Sequence, residues 1–332
     1  MNLQKRIDLL IRLGEYILEN NESWKQAKEE AERFNSWFIP EFIDQASVNI
    51  AEQYLQPEKL ISFAQAYSIP ENPFSPKTVG LVMAGNIPLV GFHDWMCIFL
   101  SGHKAFIKTS SKDEILINHL LEQLFTWNAE CQEQSTFGGM LKGADAYIAT
   151  GSNNSARYFE YYFNKYPNII RRNRTSVAIV TGNESGNDLE KLSDDVHLYF
   201  GLGCRNVTKI YVPEGYDFVP LLTSFNRYAY FIDHYKYKNN YDYLLAIHLL
   251  NHKYYMTNGE LLLSENSSVF SPISQLNYEF YAGIEQLTNN LEINQDIQCV
   301  IGEGYVPFGT SQRPSLTDYA DGIDTMKFLL QL

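Results

Sequence analysis

Val79-Gly-Leu-Val-Met-Ala-Gly-Asn-Ile-Pro88, followed by Lys104-Ala-Phe-Ile-Lys108, is the stretch whose reading decides the fold. Its first five residues form a short run without charge or polar side chain, which reads as a strand buried on both faces. A glycine-bearing turn and an apolar helix to Leu100 follow, and the chain then returns in a second strand. Two strands joined through a helix run parallel, because the crossover brings the second back in the direction of the first.

The same texture continues outward. Ser111-Lys-Asp-Glu114 reads as a capping box opening a helix through Leu124. Ala146-Tyr-Ile-Ala-Thr150 is a third strand, ending in Gly151-Ser-Asn-Asn154 and a helix through Phe163, and Thr175-Ser-Val-Ala-Ile-Val180 is a fourth. Further strands are expected at 208–212, 261–263, 268–270 and 297–301, with helices between them. Such alternation is the signature of an α/β protein with doubly wound parallel sheets. Upstream, residues 1–69 read as helical. Leu3, Ile7, Leu10, Gly14 and Ile17 follow heptad spacing, and two more amphipathic segments lie on either side of Pro40, where a helix can begin. Three prolines within 69–76 mark a boundary.

At roughly 150 residues per domain, 332 residues suggest two lobes. With 45% hydrophobic and only 20% charged residues, the chain has ample material for packed cores and too little charge for wholesale disorder. The net charge of −13 excludes a surface that binds nucleic acid or anionic membrane as a whole. No Cys-x-x-Cys pair occurs among the four cysteines, and the amphipathic, acid-bearing N-terminus is unlike a signal peptide. The longest apolar run, 87–100, is broken by His93 and Asp94 and is too short to span a bilayer. The expectation is a reduced, cytoplasmic protein without a membrane span.

Ligands of parallel sheets bind where strands end and helices begin. The turns Ala84-Gly-Asn-Ile-Pro88 and Thr150-Gly-Ser152 stand there, each readable as an ordinary turn, or together with Lys108 as one phosphate-binding edge. Cys97 and Cys299 read as core thiols, and nothing near Cys131 would activate it. Cys204, between two glycines and Arg205, is either a structural thiol or a nucleophile whose thiolate the cation favours. Arg171-Arg-Asn-Arg174 is a solvated turn or a phosphate clamp. His248 and His252, at i and i+4, could share a helix face, but no third ligand follows and no metal site is expected. The acidic run 184–195 reads as a solvated helix face.

Taken in order, Val82-Met-Ala-Gly-Asn-Ile-Pro88, Phe106-Ile-Lys-Thr-Ser110, Ala149-Thr-Gly-Ser152, Gly201-Leu-Gly-Cys-Arg-Asn-Val-Thr-Lys-Ile-Tyr-Val212 and the segment 308–325 resemble the acyl-CoA reductase family, of the bacterial luminescence fatty-acid reductase type, within the aldehyde dehydrogenase superfamily. The resemblance implies an aldehyde-dehydrogenase-like α/β fold of two doubly wound lobes. A helical segment at 1–75 would precede a dinucleotide-binding domain at 76–200, a catalytic domain at 201–305 and a C-terminal segment at 306–332 that returns across the lobes. It makes Cys204 the nucleophile that becomes S-acylated, and Asn86 an oxyanion donor alongside the Cys204 backbone N–H. Lys108, Gly151 and Ser152 would face the nucleotide, with Arg171 and Arg174 as phosphate contacts. Ser111 falls where NAD-preferring relatives carry a glutamate. Serine there admits a 2′-phosphate, so NADPH is expected, with NADH the alternative.

Two departures from the superfamily sharpen the expectation. The water-activating glutamate of its oxidising members is absent from 171–177, and Ser268 stands at the position of the glutamate that holds the nicotinamide ribose. Without a base to activate water, the acyl-enzyme is left to hydride or to a thiol. The implied reaction is reduction of a long-chain fatty acyl-CoA or acyl-protein thioester to an aldehyde, with an acyl-protein synthetase as a partner. A thiol-to-thiol acyltransferase and a non-catalytic nucleotide-binding relative are the rival readings. The stretch 125–144 looks too short for the superfamily's extra strand and helix, and its tetramer is not carried over.

Overall fold

β1 (Thr78–Val82) and β2 (Lys104–Lys108) pair in parallel with Val79 opposite Ala105, and the helix Phe92–Ser101 between them is buried along almost its whole length. β3 (Ser135–Phe137) adds outside β2, whereas β4 (Ala146–Thr150) returns to the other side of β1 and β5 (Asn168–Arg171) adds beyond it. The resulting order β3-β2-β1-β4-β5 is wholly parallel. It reverses direction between β1 and β4, so the turns after these two strands diverge and leave a crevice at the sheet's C-terminal edge.

The computed structural model describes residues 1–72 and 75–332, and these form two compact units: 1–173 with 314–332, and 174–313. Part of the proline-rich boundary, Pro73 and Phe74, lies outside the described residues. The N-terminal helices Leu3–Glu19, Glu22–Phe34, Pro40–Gln53 and Pro57–Ala66 are not a segment apart, as their sequence had suggested. Leu10, Leu13, Trp24 and Leu60 share one apolar core with Trp95, Ile98, Leu116 and Leu120. Four short amphipathic helices have no second layer of their own, so their apolar stripes cover the first sheet's helices. Arg6 is wholly buried there, donating from Nε to the Leu100 carbonyl at 3.2 Å.

In the second unit, β6 (Thr175–Ile179), β7 (Val207–Pro213), β8 (Met256–Thr257), β9 (Leu262–Glu265), β10 (Gln275–Tyr281) and β11 (Ile297–Ile301) form a sheet ordered β11-β6-β7-β10-β9-β8. All pairs are parallel except the short β8 on β9. β6 pairs with β7 and β11, so the change of unit falls at residue 174 rather than near 200.

Several local expectations are corrected. Residues 268–270 are a loop, and the strand begins at Gln275. Ser111 does not cap the next helix, which runs Ile115–Trp127 with Glu114 at its N-cap and no side-chain cap bond; Ser110 and Asp113 instead close a tight bridge. The stretch 125–144 does hold a short helix, Glu130–Gln134, and β3. His252 stands beyond the end of the helix Tyr235–Leu250, at φ 50°, so it shares no helix face with His248. Among the described residues no helix is long and apolar enough to cross a membrane.

One buried imidazole fastens the first unit's C-terminal return. His103 is 6% exposed, accepts the Lys77 N–H at Nδ1 (3.0 Å) and donates from Nε2 to the Leu329 carbonyl (2.9 Å). Burial lowers its pKa from the ordinary 6.5. Protonation therefore favours the unfolded chain, and the stability that His103 contributes is full above pH 6.5 and lost as pH falls below it. The stability advantage of the wild type over His103→Asn, from urea unfolding, should shrink between about pH 7.5 and about pH 5.5. A constant advantage would remove His103 from the pH response.

Candidate active site

Cys204 sits in the turn between the helix Gly186–His197 and β7, and the turn is built around one side chain. Asn206 is wholly buried. Its Nδ2 donates to the carbonyls of Asp195 (3.1 Å), Val196 (3.4 Å) and Leu198 (2.8 Å), and its Oδ1 accepts the Gly203 N–H at 2.8 Å. Between these anchors the backbone runs left-handed through Tyr199, Phe200 and Gly201, at φ 57°, 54° and 73°. A left-handed residue other than glycine costs about 1–2 kcal/mol. The Asn206 bonds and the packing of Phe200 on Phe231 and Tyr237 offset it.

The turn presents Cys204 half-buried, its carbonyl accepting from Ser176 Oγ on β6 at 3.1 Å. The same Ser176 Oγ lies 3.1 Å from Cys299 Sγ, whose pKa burial raises despite Arg205 beside it. Burial also holds Cys97 well above the ordinary thiol value and Cys131 at about 11, so both thiols resist ionisation. Asp195, read from sequence as part of a solvated face, is 1% exposed. It accepts the N–H groups of Gly309 (2.7 Å) and Ser311 (3.0 Å), tying the segment after β11 to the helix that leads into the Cys204 turn. Burial raises its pKa to about 6.

In the first unit, the C-terminal ends of β1, β2 and β4 bring together the 84–91 turn, Lys108 and Gly151-Ser152. Asn86 is exposed on the first turn. Leu89 there is left-handed (φ 58°), and the buried Asp113 carboxylate accepts its N–H at 2.7 Å. Burial raises the Asp113 pKa to about 7. A Cβ on Gly85 would stand 2.6 Å from Ser110 Oγ, and one on Gly151 2.9 Å from Phe159 and Ser155, so both turns are packed too closely for any other residue. Ser152 caps the helix Asn153–Phe163 by accepting the Ser155 N–H, and Ser111 is exposed.

Lys108 lines a pocket of about 830 Å³ whose walls are aromatic: Tyr147, Tyr158, Phe159, Tyr162 and Tyr166. Lys142 and Lys165 complete its basic rim. This lining was missed in the sequence, although tyrosines four apart at 158 and 162 were its signal.

The arginine cluster is dispersed. Alternation along β5 sends Arg171 inward, where it is 2% exposed, ion-paired with Asp94 and donating to Thr325 Oγ1 at 2.8 Å. Arg172 points out and pairs with Glu160, and Arg174 donates to the Ile297 carbonyl at 3.4 Å. Arg171 is thus an interior counter-charge for a carboxylate on an apolar helix, and a phosphate-contact role does not suit that burial. Ser268 is exposed, its hydroxyl turned back on the Phe270 backbone.

Among solved structures the chain is similar to a putative aldehyde dehydrogenase from Burkholderia cenocepacia, with a TM-score of 0.64 and 11% identity over 94% of this chain and 76% of that one. It is likewise similar to a Mycobacterium tuberculosis aldehyde dehydrogenase complexed with NAD+ (0.63, 14%, 91% and 73%). A third likeness is to a propionaldehyde dehydrogenase from the fucose-utilisation microcompartment of Clostridium phytofermentans (0.60, 9%, 94% and 89%). No family model and no curated protein matches the sequence. These likenesses show an aldehyde dehydrogenase fold.

Removing one partner of the buried pair should be costly. Asp94→Ala leaves the Arg171 charge uncompensated and is expected to lose about 3–5 kcal/mol in urea unfolding, whereas Asp94→Leu with Arg171→Met recovers most of it. If Asp94→Ala is neutral, the pair does not hold the strand end.

Proposed function

We propose that this chain reduces a long-chain fatty acyl thioester, acyl-CoA or acyl-protein, to the aldehyde with NADPH. The observation that carries the reading is the presentation of Cys204, half-buried on a clamped left-handed turn beside Arg205, while burial raises the pKa of each of the other three thiols. The similarity of the fold to a propionaldehyde dehydrogenase is consistent with it.

The residues of the first unit fit a dinucleotide. Lys108, Lys142 and Lys165 supply cations for phosphates in an otherwise acidic chain, and the tyrosine walls of the 830 Å³ pocket suit a purine ring. Gly151 lets the turn close against Phe159 and Ser155 where the helix Asn153–Phe163 begins, and the N–H groups of that helix start are the proposed phosphate partners. Ser111 in place of a carboxylate leaves room for a 2′-phosphate. The proposal gives Arg171 no cofactor contact.

The Cys204 thiolate attacks the thioester carbonyl carbon, forming a carbon–sulfur bond while the carbonyl electron pair moves onto oxygen. Asn86 is the proposed side-chain donor to that oxyanion, a role of the kind that usually carries the largest electrostatic contribution. Collapse re-forms the carbonyl and expels the donor thiolate, which takes up a proton and leaves the acyl group on Cys204. When bound, NADPH supplies the hydride that takes the acyl carbon to the aldehyde level. Release of the aldehyde breaks the carbon–sulfur bond and returns the Cys204 thiolate. In sum, thioester, NADPH and a proton give aldehyde, free thiol and NADP+. With no glutamate at 171–177, this chain offers no carboxylate there to activate competing water.

Long-chain acyl-CoA with NADPH should yield aldehyde, NADH should serve less well, and Cys204→Ala should lose at least about a thousandfold in turnover. Full turnover by Cys204→Ala would overturn the mechanism. Thiol-to-thiol acyl transfer without NADPH consumption would make the chain an acyltransferase.

A further inference from the structure

In the first unit, the turn 84–91 that carries Asn86 rests on a segment that is itself fixed. Ser110 and Asp113 close their bridge with the Asp113 N–H on the Ser110 carbonyl at 3.0 Å, and Ser110 Oγ accepts the Lys112 N–H at 3.2 Å. Asn35, at the end of the helix Glu22–Phe34, donates to the Lys112 carbonyl at 3.1 Å. The turn meets this segment at two points. Gly85 packs on it so closely that a Cβ would stand 2.7 Å from Ser110 Cβ and 3.2 Å from Asp113 Cβ. Further along, the left-handed Leu89 donates its N–H to Asp113 Oδ2 at 2.7 Å. Asn86 lies between these two points, exposed.

That N–H is all the hydrogen bonding the Asp113 carboxyl receives among the described residues, because Oδ1 is buried with no partner. No counter-charge compensates it either. The 84–91 turn has no titratable side chain, Lys112 is exposed, and Glu114 carries a like charge. On the helix Phe92–Ser101, His93 donates to the Leu316 carbonyl at 3.0 Å and Asp94 pairs with Arg171. We infer that Asp113 is a positioning residue for Asn86, a buried acid that holds the turn through Leu89 and loosens it on ionising. Burial raises its pKa from 3.8 to about 7, against the lowering effect of the Leu89 N–H. Any opening that parts Leu89 from Asp113 hydrates the carboxyl and returns it toward 3.8. The closed turn is therefore held most firmly below pH 3.8, weakens as pH rises, and levels off above about pH 7. The hold on the turn stands without the proposed reductase activity. Only its consequence for Asn86 rests on that reading.

The test is hydrogen exchange of the Leu89 amide in the full-length, ¹⁵N-labelled protein, taken relative to an unstructured amide so that base catalysis cancels. Wild-type protection should fall about tenfold between about pH 5 and about pH 6.5, and level off above about pH 7. Asp113→Asn keeps an oxygen for the Leu89 N–H but cannot ionise, so it should not share this fall. Protection that is flat in the wild type, or that falls equally in Asp113→Asn, would overturn the inference. Acylation of Cys204 by long-chain acyl-CoA supplies a second readout. Asp113→Ala should slow it about tenfold in the wild-type background and not at all in Asn86→Ala, because Asp113 acts through Asn86. Equal losses in both backgrounds would make Asp113 a purely structural residue and overturn the positioning role. An unacylated wild type would end the reductase reading and the role of Asn86 with it, while the exchange profile still decides whether Asp113 governs the turn.

Discussion

The four hydrogen bonds of the Asn206 side chain are the constraint on which the turn that carries Cys204 depends. A helix ending at His197 must hand the chain to β7 within a few residues, and it does so through three consecutive left-handed residues, two of them aromatic. Such a path has no regular hydrogen-bonding scheme. Asn206 supplies one, collecting three carbonyls from the helix end and the Gly203 N–H just ahead of Cys204. Without it, those buried groups would go unpaired at about 1–3 kcal/mol each. Asp195 extends the clamp to Gly309 and Ser311, which joins the two segments that carry most of the sequence resemblance.

The first unit solves a similar problem by similar means. Leu89 is left-handed in the turn after β1, and a buried carboxylate, Asp113, pins its N–H. In each unit a buried polar side chain holds a strained, non-glycine backbone next to a residue proposed to act on the substrate, Cys204 in one and Asn86 in the other. A net charge of −13 opposes any nucleotide at long range, so attraction has to be local. In the proposed reading, the three lysines around the tyrosine-walled pocket supply it.

Much of this was legible in the sequence. The apolar runs of β1, β2 and β4 and the turns after them could be read directly, as could the singular setting of Cys204. What resisted reading was whatever depends on distant partners. Asp94 interrupts an apolar helix and Arg171 ends a strand, and each looks anomalous alone; only the fold shows that one neutralises the other. The stretch 268–270 is as β-prone as a strand, yet Asn277 takes its carbonyls, and Gln275 rather than Ser268 begins the ladder. The helices before residue 70 read as a separate piece because periodicity shows which face is apolar but not what covers it. Asp113 and Asp195 were unremarkable polar residues until burial set them apart.

The central claim is that Cys204 carries the acyl group and that water does not remove it, and a single mass measurement bears on both parts. The protein is incubated with long-chain acyl-CoA in the absence of nicotinamide, then digested and followed over time. The account predicts one acyl adduct, on Cys204, that persists in buffer and is discharged as aldehyde when NADPH is added. An adduct on another residue, no adduct, or release of free fatty acid as fast as NADPH discharges it would contradict the account.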